Sequence, residues 1–111
     1  MEKRLVVVVK SKPYTTLNTY EALRLAVGLW EHEVSVVWMG DGVYALLGAA
    51  DMSLDGVFHA DLPDLHINAY VDEDALAERS LEMDALIDEV RPMSRTEIAK
   101  LVAGADASIV F

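Results

Sequence analysis

Leu5-Val6-Val7-Val8-Val9 is an unbroken apolar run in which four residues are β-branched. A strand with one face in water alternates apolar and polar side chains, whereas a strand covered on both faces does not need to. The run therefore predicts a central strand of a parallel sheet held between helical layers. Residues 34–39, 66–71, 89–93 and 108–111 supply four further short strand candidates, separated by helical segments in the βαβα rhythm of an α/β fold. Pro92 has no N–H to give to a ladder, which places the fourth strand at an edge of the sheet. The chain has 111 residues, 53% of them hydrophobic, with no linker-like stretch and no internal repeat. Residues 1–111 are thus expected to form a single domain, which at this size buries roughly 65% of the surface its unfolded chain exposes.

The helical segments carry their own start signals. Asn18 with Glu21 three residues later resembles a capping box, and Ser94-Arg95-Thr96-Glu97 is a second one, opening a helix that runs to about Gly104. In the first helix, Tyr20, Ala22, Leu23, Leu25, Ala26, Val27, Leu29 and Trp30 spread over an arc of about 220°, wider than one sheet face can cover. Residues 43–47, read as a second helix, are likewise apolar all round. Either neighbouring segments overlay these surfaces or they meet another subunit; contact with a subunit is the favoured expectation, through Leu25 and Leu29 of the first helix and Tyr44 and Leu47 of the second. Trp30, Trp38 and Tyr44 fall at positions expected to pack into the core.

Charge and residue usage exclude several function classes. Nineteen acidic against nine basic side chains give a net charge of −10, and apart from Lys3-Arg4 the basic residues stand singly. A phosphate-tracking surface needs clustered Lys and Arg, so direct nucleic-acid binding is not expected. No apolar stretch approaches the roughly 20 residues that span a bilayer, and "MEKRLVVVVK" lacks a signal-peptide cleavage pattern, so a cytoplasmic protein without membrane association is expected. The chain has no cysteine, which excludes disulfides, thiolate metal sites and thiol nucleophiles.

In a parallel sheet, ligands sit beyond the carboxyl ends of the strands. Residues 11–17, 40–42 and 72–74 follow strand candidates and are expected at that edge. There Ser11, Tyr14, Asp41 and Gly42 are candidate cleft residues. Free N–H groups at a helix start beside Gly40-Asp41-Gly42 offer an anion site; alternatively, the Asp41 carboxylate caps those donors itself and the glycines only permit the turn. Ser11, Tyr14, Thr15 and Thr16 present hydroxyls but not the glycines of a nucleotide loop. His59 and His66 flank Asp61 and Asp64 without a ligand spacing, and Pro63 interrupts them, so no metal site is expected. Asp72 with Asp74, and Asp88 with Glu89, read as helix-start and surface charges. No P-loop, Gly-x-Ser-x-Gly or His-Glu-x-x-His motif is present, and no cofactor is expected.

Taken together, "RLVVVVKSKPYTT", "VVWMGDGVYALLG", "ALAERSL", "SRTEIAKL" and "ASIVF" resemble the DsrE/DsrF sulfur-relay family over nearly the whole chain, most of all its DsrF (TusC) branch. The most specific piece is Asp41-Gly42-Val43 followed by Leu46-Leu47. The resemblance implies a five-stranded parallel sheet in a three-layer α/β/α sandwich, with strand order near 4-3-2-1-5. It also implies a persulfide site: working subunits of the family carry a cysteine just after the third strand, about eight residues before the glycine of an Arg-Gly pair. Matching "ALAERSL" to that segment puts Ser80 at the glycine and Asp72 at the cysteine. A carboxylate offers no thiolate. The implied role is a non-catalytic structural subunit that assembles with cysteine-bearing DsrE/TusD-like relatives or with itself, in tRNA 2-thiouridine formation or in sulfur oxidation. A small-ligand or anion-binding module working as a homo-oligomer is the alternative. Residues 51–65 look less helical than the family's segment before its third strand.

Overall fold

In the computed structural model, which describes residues 2–13, 17–47, 61–87 and 90–111, the apolar run becomes strand β1 (Arg4–Val9). It is followed by helix α1 (Asn18–Gly28), β2 (Glu33–Trp38), a 3-10 segment (Gly40–Leu46), β3 (Asn68–Asp72), α2 (Glu73–Glu78), a 3-10 turn (Met83–Ala85), β4 (Arg91–Met93), α3 (Arg95–Ala103) and β5 (Ala107–Val110). The five strands form one sheet of order β4-β3-β2-β1-β5, parallel throughout. β1 lies between β2 and β5, and the strand containing Pro92 is at an edge, as its missing N–H requires.

Successive β1 side chains serve different layers. Val7 and Val9 join Val36, Trp38 and Val71 beneath Ala22, Leu23 and Ala26 of α1 and Ala75 and Leu76 of α2. Val6 and Val8 join Val37 and face Ile98 of α3. All four valines of the run are almost fully buried, and each side chain so buried contributes about 1.5–3 kcal/mol of transfer free energy. The unbroken apolar run is thus the consequence of helices on both faces, the three-layer sandwich expected of the chain.

Several local expectations need correction. Asn18 does not cap α1: the residue before the helix is Leu17, without a side-chain cap, while the Asn18 amide donates to the Ser11 hydroxyl at 2.8 Å. The second helix is a 3-10 segment, and its apolar residues are not left over for a partner, because Val43, Ala45 and Leu46 are buried within the chain. Only Tyr44 and Leu47 remain half-buried. Trp30 is 53% exposed rather than packed in the core, because it lies in the turn after α1, whereas Trp38 on β2 is fully buried. The third strand begins at Asn68 because His66 closes a left-handed turn (φ 58°) ahead of it. The fourth is described from Arg91; Asp88 and Glu89 lie outside the described residues. The second capping box is present: the Ser94 hydroxyl accepts from the Glu97 N–H at 3.2 Å, and the Glu97 carboxylate accepts from the Ser94 N–H at 3.3 Å.

Candidate functional site

The carboxyl ends of β1, β2 and β3 are tied together by the segments that leave them. After β2 the chain turns at Gly40 (φ 51°), a conformation suited to glycine, and lays Gly42 against the end of β1. A Cβ on Gly42 would overlap the Val9 carbonyl oxygen and lie 2.8 Å from its carbon, both backbone atoms that cannot swing away. The Met39 N–H donates to the same carbonyl at 2.9 Å. Close approach, rather than an open cradle for an anion, therefore explains Gly42.

Asp41 has a different partner from either of those expected. Its carboxylate does not cap the 3-10 segment. It accepts from Nη2 and Nε of Arg79, at 2.9 and 3.2 Å, while Arg79 Nη1 donates to the Ala75 carbonyl at 3.0 Å. The guanidinium also lies 6.0 Å from the centre of the Tyr44 ring, at the outer limit of a cation–π contact. Arg79 thus joins the end of α2 to the turn after β2. The next residue, Ser80, has φ 53°, a left-handed conformation in which glycine is the least strained residue. That is the position where the resemblance places the family's glycine.

Asp72 ends β3 and caps α2, with Oδ1 accepting from the Asp74 N–H at 2.9 Å. Its side chain is only 1% exposed. Oδ2 accepts from Arg95 Nε at 2.9 Å, and Arg95 Nη2 bonds to Glu78 as well. The two carboxylates hold Arg95 above the ordinary guanidinium pKa, with the hydrogen bond from Asp72 as the largest cause and that from Glu78 next. Asp41, Asp72 and Glu78 are therefore matched by Arg79 and Arg95 along one rim of the sheet. Each Asp72 oxygen is engaged inside the chain. A buried carboxylate held this way can order α2 and α3 but has no nucleophilic sulfur.

The expected cleft residues are only partly brought together. Asp41 and Gly42 lie on the turn that packs against the end of β1, and the Ser11 hydroxyl is engaged by Asn18. Tyr14, Thr15 and Thr16 lie outside the described residues, as does His59. His66 is exposed, and among the described residues no group of three or more His, Asp or Glu is placed to hold a metal ion. Leu25 and Leu29 are half-buried and line a groove of about 360 Å³ with Glu21, Arg24, Gly28 and Phe111. Arg79, Arg95 and Glu78 were not singled out from sequence. For Arg95 a signal existed: with β4 beside β3 and Met93 in register with Asp72, a residue two places after Met93 emerges next to that carboxylate.

The sequence matches the family model of the DsrE/DsrF-like family over residues 3–111. Among curated proteins, no sequence matches it. Solved structures with the same fold include the ychN protein from E. coli, 23% identical, with all of both chains covered and a TM-score of 0.85. The MTH1491 protein from Methanobacterium thermoautotrophicum is 16% identical, with 99% of this chain and 100% of that one covered and a TM-score of 0.75. The BT1422 protein from Bacteroides thetaiotaomicron is 13% identical, with 96% and 95% covered and a TM-score of 0.62. At these identities the likeness establishes the fold. The match of the whole sheet and its flanking helices to one family model establishes more: the chain belongs to the DsrE/DsrF-like family.

Proposed function

We propose that this chain is a cysteine-free structural subunit of a sulfur-relay assembly, on the DsrF (TusC) side of its family. Family membership supports a relay-type role in general terms, and the observation that carries the specific reading is the state of Asp72. Where the resemblance puts a sulfur-carrying cysteine, the chain has a buried carboxylate, with one oxygen on the Asp74 N–H and the other on Arg95. Such a site stabilises the junction of β3, α2 and α3 and leaves sulfur transfer to a partner. The partner is a cysteine-bearing DsrE/TusD-like relative, and the pathway is tRNA 2-thiouridine formation or sulfur oxidation. The reading places the protein in the cytoplasm; among the described residues no helix is long and apolar enough to cross a membrane. Isolation of the protein from its native cell under gentle cross-linking, followed by mass spectrometry, tests the reading. A cysteine-bearing relative in stoichiometric yield is expected, and recovery of this chain alone would count against it.

The groove beside α1 favours the second reading, a small-ligand module that works as a homo-oligomer. Leu25, Leu29 and Phe111 give it an apolar floor, and Glu21 and Arg24 stand at its rim. A ligand seated there would protect Leu25 and Leu29 from solvent without any role for Asp72.

A further inference from the structure

Helix α3 crosses its face of the sheet obliquely, leaving the carboxyl end of β4 and delivering the chain to the amino end of β5 at the far edge. On the way Ile98, Leu101 and Val102 cover Val6, Val8 and Val37. The amino ends of β3 and β4 are left open on that face. Tyr70 belongs to the α3 side, while its neighbours Ala69 and Val71 face α1 and α2. Asn68, two residues back, shares the face of Tyr70, and Arg91 shares it because the two stand in register on parallel strands. Asn68 and Arg91 are exposed and Tyr70 is half-buried. With Pro63 and His66 they line a cavity of about 280 Å³.

The polar side chains of this wall are all potential donors: the Arg91 guanidinium, the Asn68 amide, the Tyr70 hydroxyl and the His66 imidazole. No carboxylate is among the described residues that line it. Arg91 stands apart from the other arginines. Arg4, Arg24, Arg79 and Arg95 each pair with an acidic side chain, whereas Arg91 has no such partner among the described residues. In a chain with nineteen acidic side chains, an arginine left without one has its donors free for something else. The net charge of −10 does not cancel that locally, because charges farther than about 8 Å are screened at physiological ionic strength.

We propose that this cavity is a binding site for a small oxyanion-bearing ligand, a phosphate monoester or a carboxylic acid, with its anionic group on Arg91. A guanidinium presents a planar fork of donors that matches two oxygens at once. Tyr70 stands on the adjacent strand, about 4.8 Å away, and Asn68 lies about 6.6 Å back along β3, so both can reach the same group. The wall at the amino end is fixed by backbone bonds, from the His66 N–H to the Pro63 carbonyl at 3.1 Å and from the Ile67 N–H to the Leu62 carbonyl at 2.9 Å. The volume falls just below the range of about 300–1,000 Å³ usual for drug-sized molecules, which fits a smaller ligand. The site lies at the other end of β3 from Asp72 and on the other face from the groove beside α1. It is therefore independent of both readings given above.

Amide spectra of the isotope-labelled chain, titrated with inorganic phosphate and separately with succinate against sodium chloride of equal ionic strength, test the site. Shifts centred on Asn68, Tyr70 and Arg91 should saturate with a midpoint on the order of 1 mM for at least one anion. A lower midpoint for phosphate marks a phosphate monoester, and a lower midpoint for succinate marks a carboxylic acid. Arg91→Gln should weaken that binding roughly tenfold or more, and Tyr70→Phe by a smaller factor. Arg4→Gln, at an arginine outside the cavity, should leave it unchanged. Shifts that do not saturate with either anion, or that centre elsewhere, would overturn the proposal. So would saturation that Arg91→Gln leaves unaltered in a chain with native circular dichroism, for Arg91 would then serve only to keep the sheet edge unpaired.

Discussion

Replacing Asp72 by Ala and by Ser separates what its carboxylate does for the fold from what its charge does. Both substitutions remove the ion pair with Arg95, but the serine hydroxyl can still accept from the Asp74 N–H at the start of α2. Loss of a helix cap to alanine costs about 0.5–2 kcal/mol, and the upper half of that range applies where the acceptor is charged and the cap buried, as it is here. Arg95 is half exposed and keeps Glu78 as a partner, so water and that carboxylate take over its donors when Asp72 is gone. Asp72→Ala is therefore expected to destabilise by about 1–2 kcal/mol, a fall of about 4–8 °C in Tm for a domain of this size. Asp72→Ser should recover at least half of the loss. Urea unfolding followed by the fluorescence of Trp38, which is fully buried, gives both values. Equal stabilities of the Ala and Ser variants, or an Ala variant within about 0.5 kcal/mol of wild type, would refute the capping argument.

Three further outcomes follow from local geometry. Gly42→Ala drives a Cβ into the Val9 backbone and should destabilise by about 1–3 kcal/mol or more, read by the same urea curves. Ser80→Gly relieves a left-handed residue on the exposed end of α2 and should raise stability by about 0.5–1 kcal/mol, whereas Ser80→Val should lower it. Leu25→Glu places a charge in the groove beside Phe111; if that surface is an interface, light scattering should show a smaller species than wild type, with the circular dichroism unchanged.

The sheet was legible in the chain because its determinants are local. A five-residue apolar run can be buried on both faces only between two layers, and Pro92 can sit only where its missing N–H faces away from a partner strand. The capping box at Ser94 and the cap at Asp72 were legible for the same reason, since each depends on residues two or three places along. The errors arose where a tertiary partner decides. Asn18 has the side chain of an N-cap, but Ser11 competes for it. The apolar segment after β2 reads as a helix with surface to spare until Gly42 is seen pressed onto β1, which draws the segment into the core as a 3-10 coil. Trp30 has an apolar ring, and hydrophobicity alone does not tell which side of a helix end is covered. Arg79 and Arg95 were missed because an isolated arginine acquires its meaning only from the carboxylate that topology brings to it. Strand order, once known, supplies that for Arg95.

The proposed role rests on Asp72, a buried carboxylate at the position where the resemblance places the family's sulfur-carrying cysteine. Wild type, Asp72→Cys and Ala77→Cys, the last with its thiol on the exposed side of α2, can be incubated side by side with a cysteine desulfurase and cysteine and their intact masses followed. Wild type should stay unchanged. Asp72→Cys should gain one sulfur atom faster than Ala77→Cys, because the neighbouring Arg95 and the start of α2 both favour its thiolate. A stable gain of sulfur by wild type, or an Asp72→Cys thiol less reactive than that of Ala77→Cys, would contradict the account.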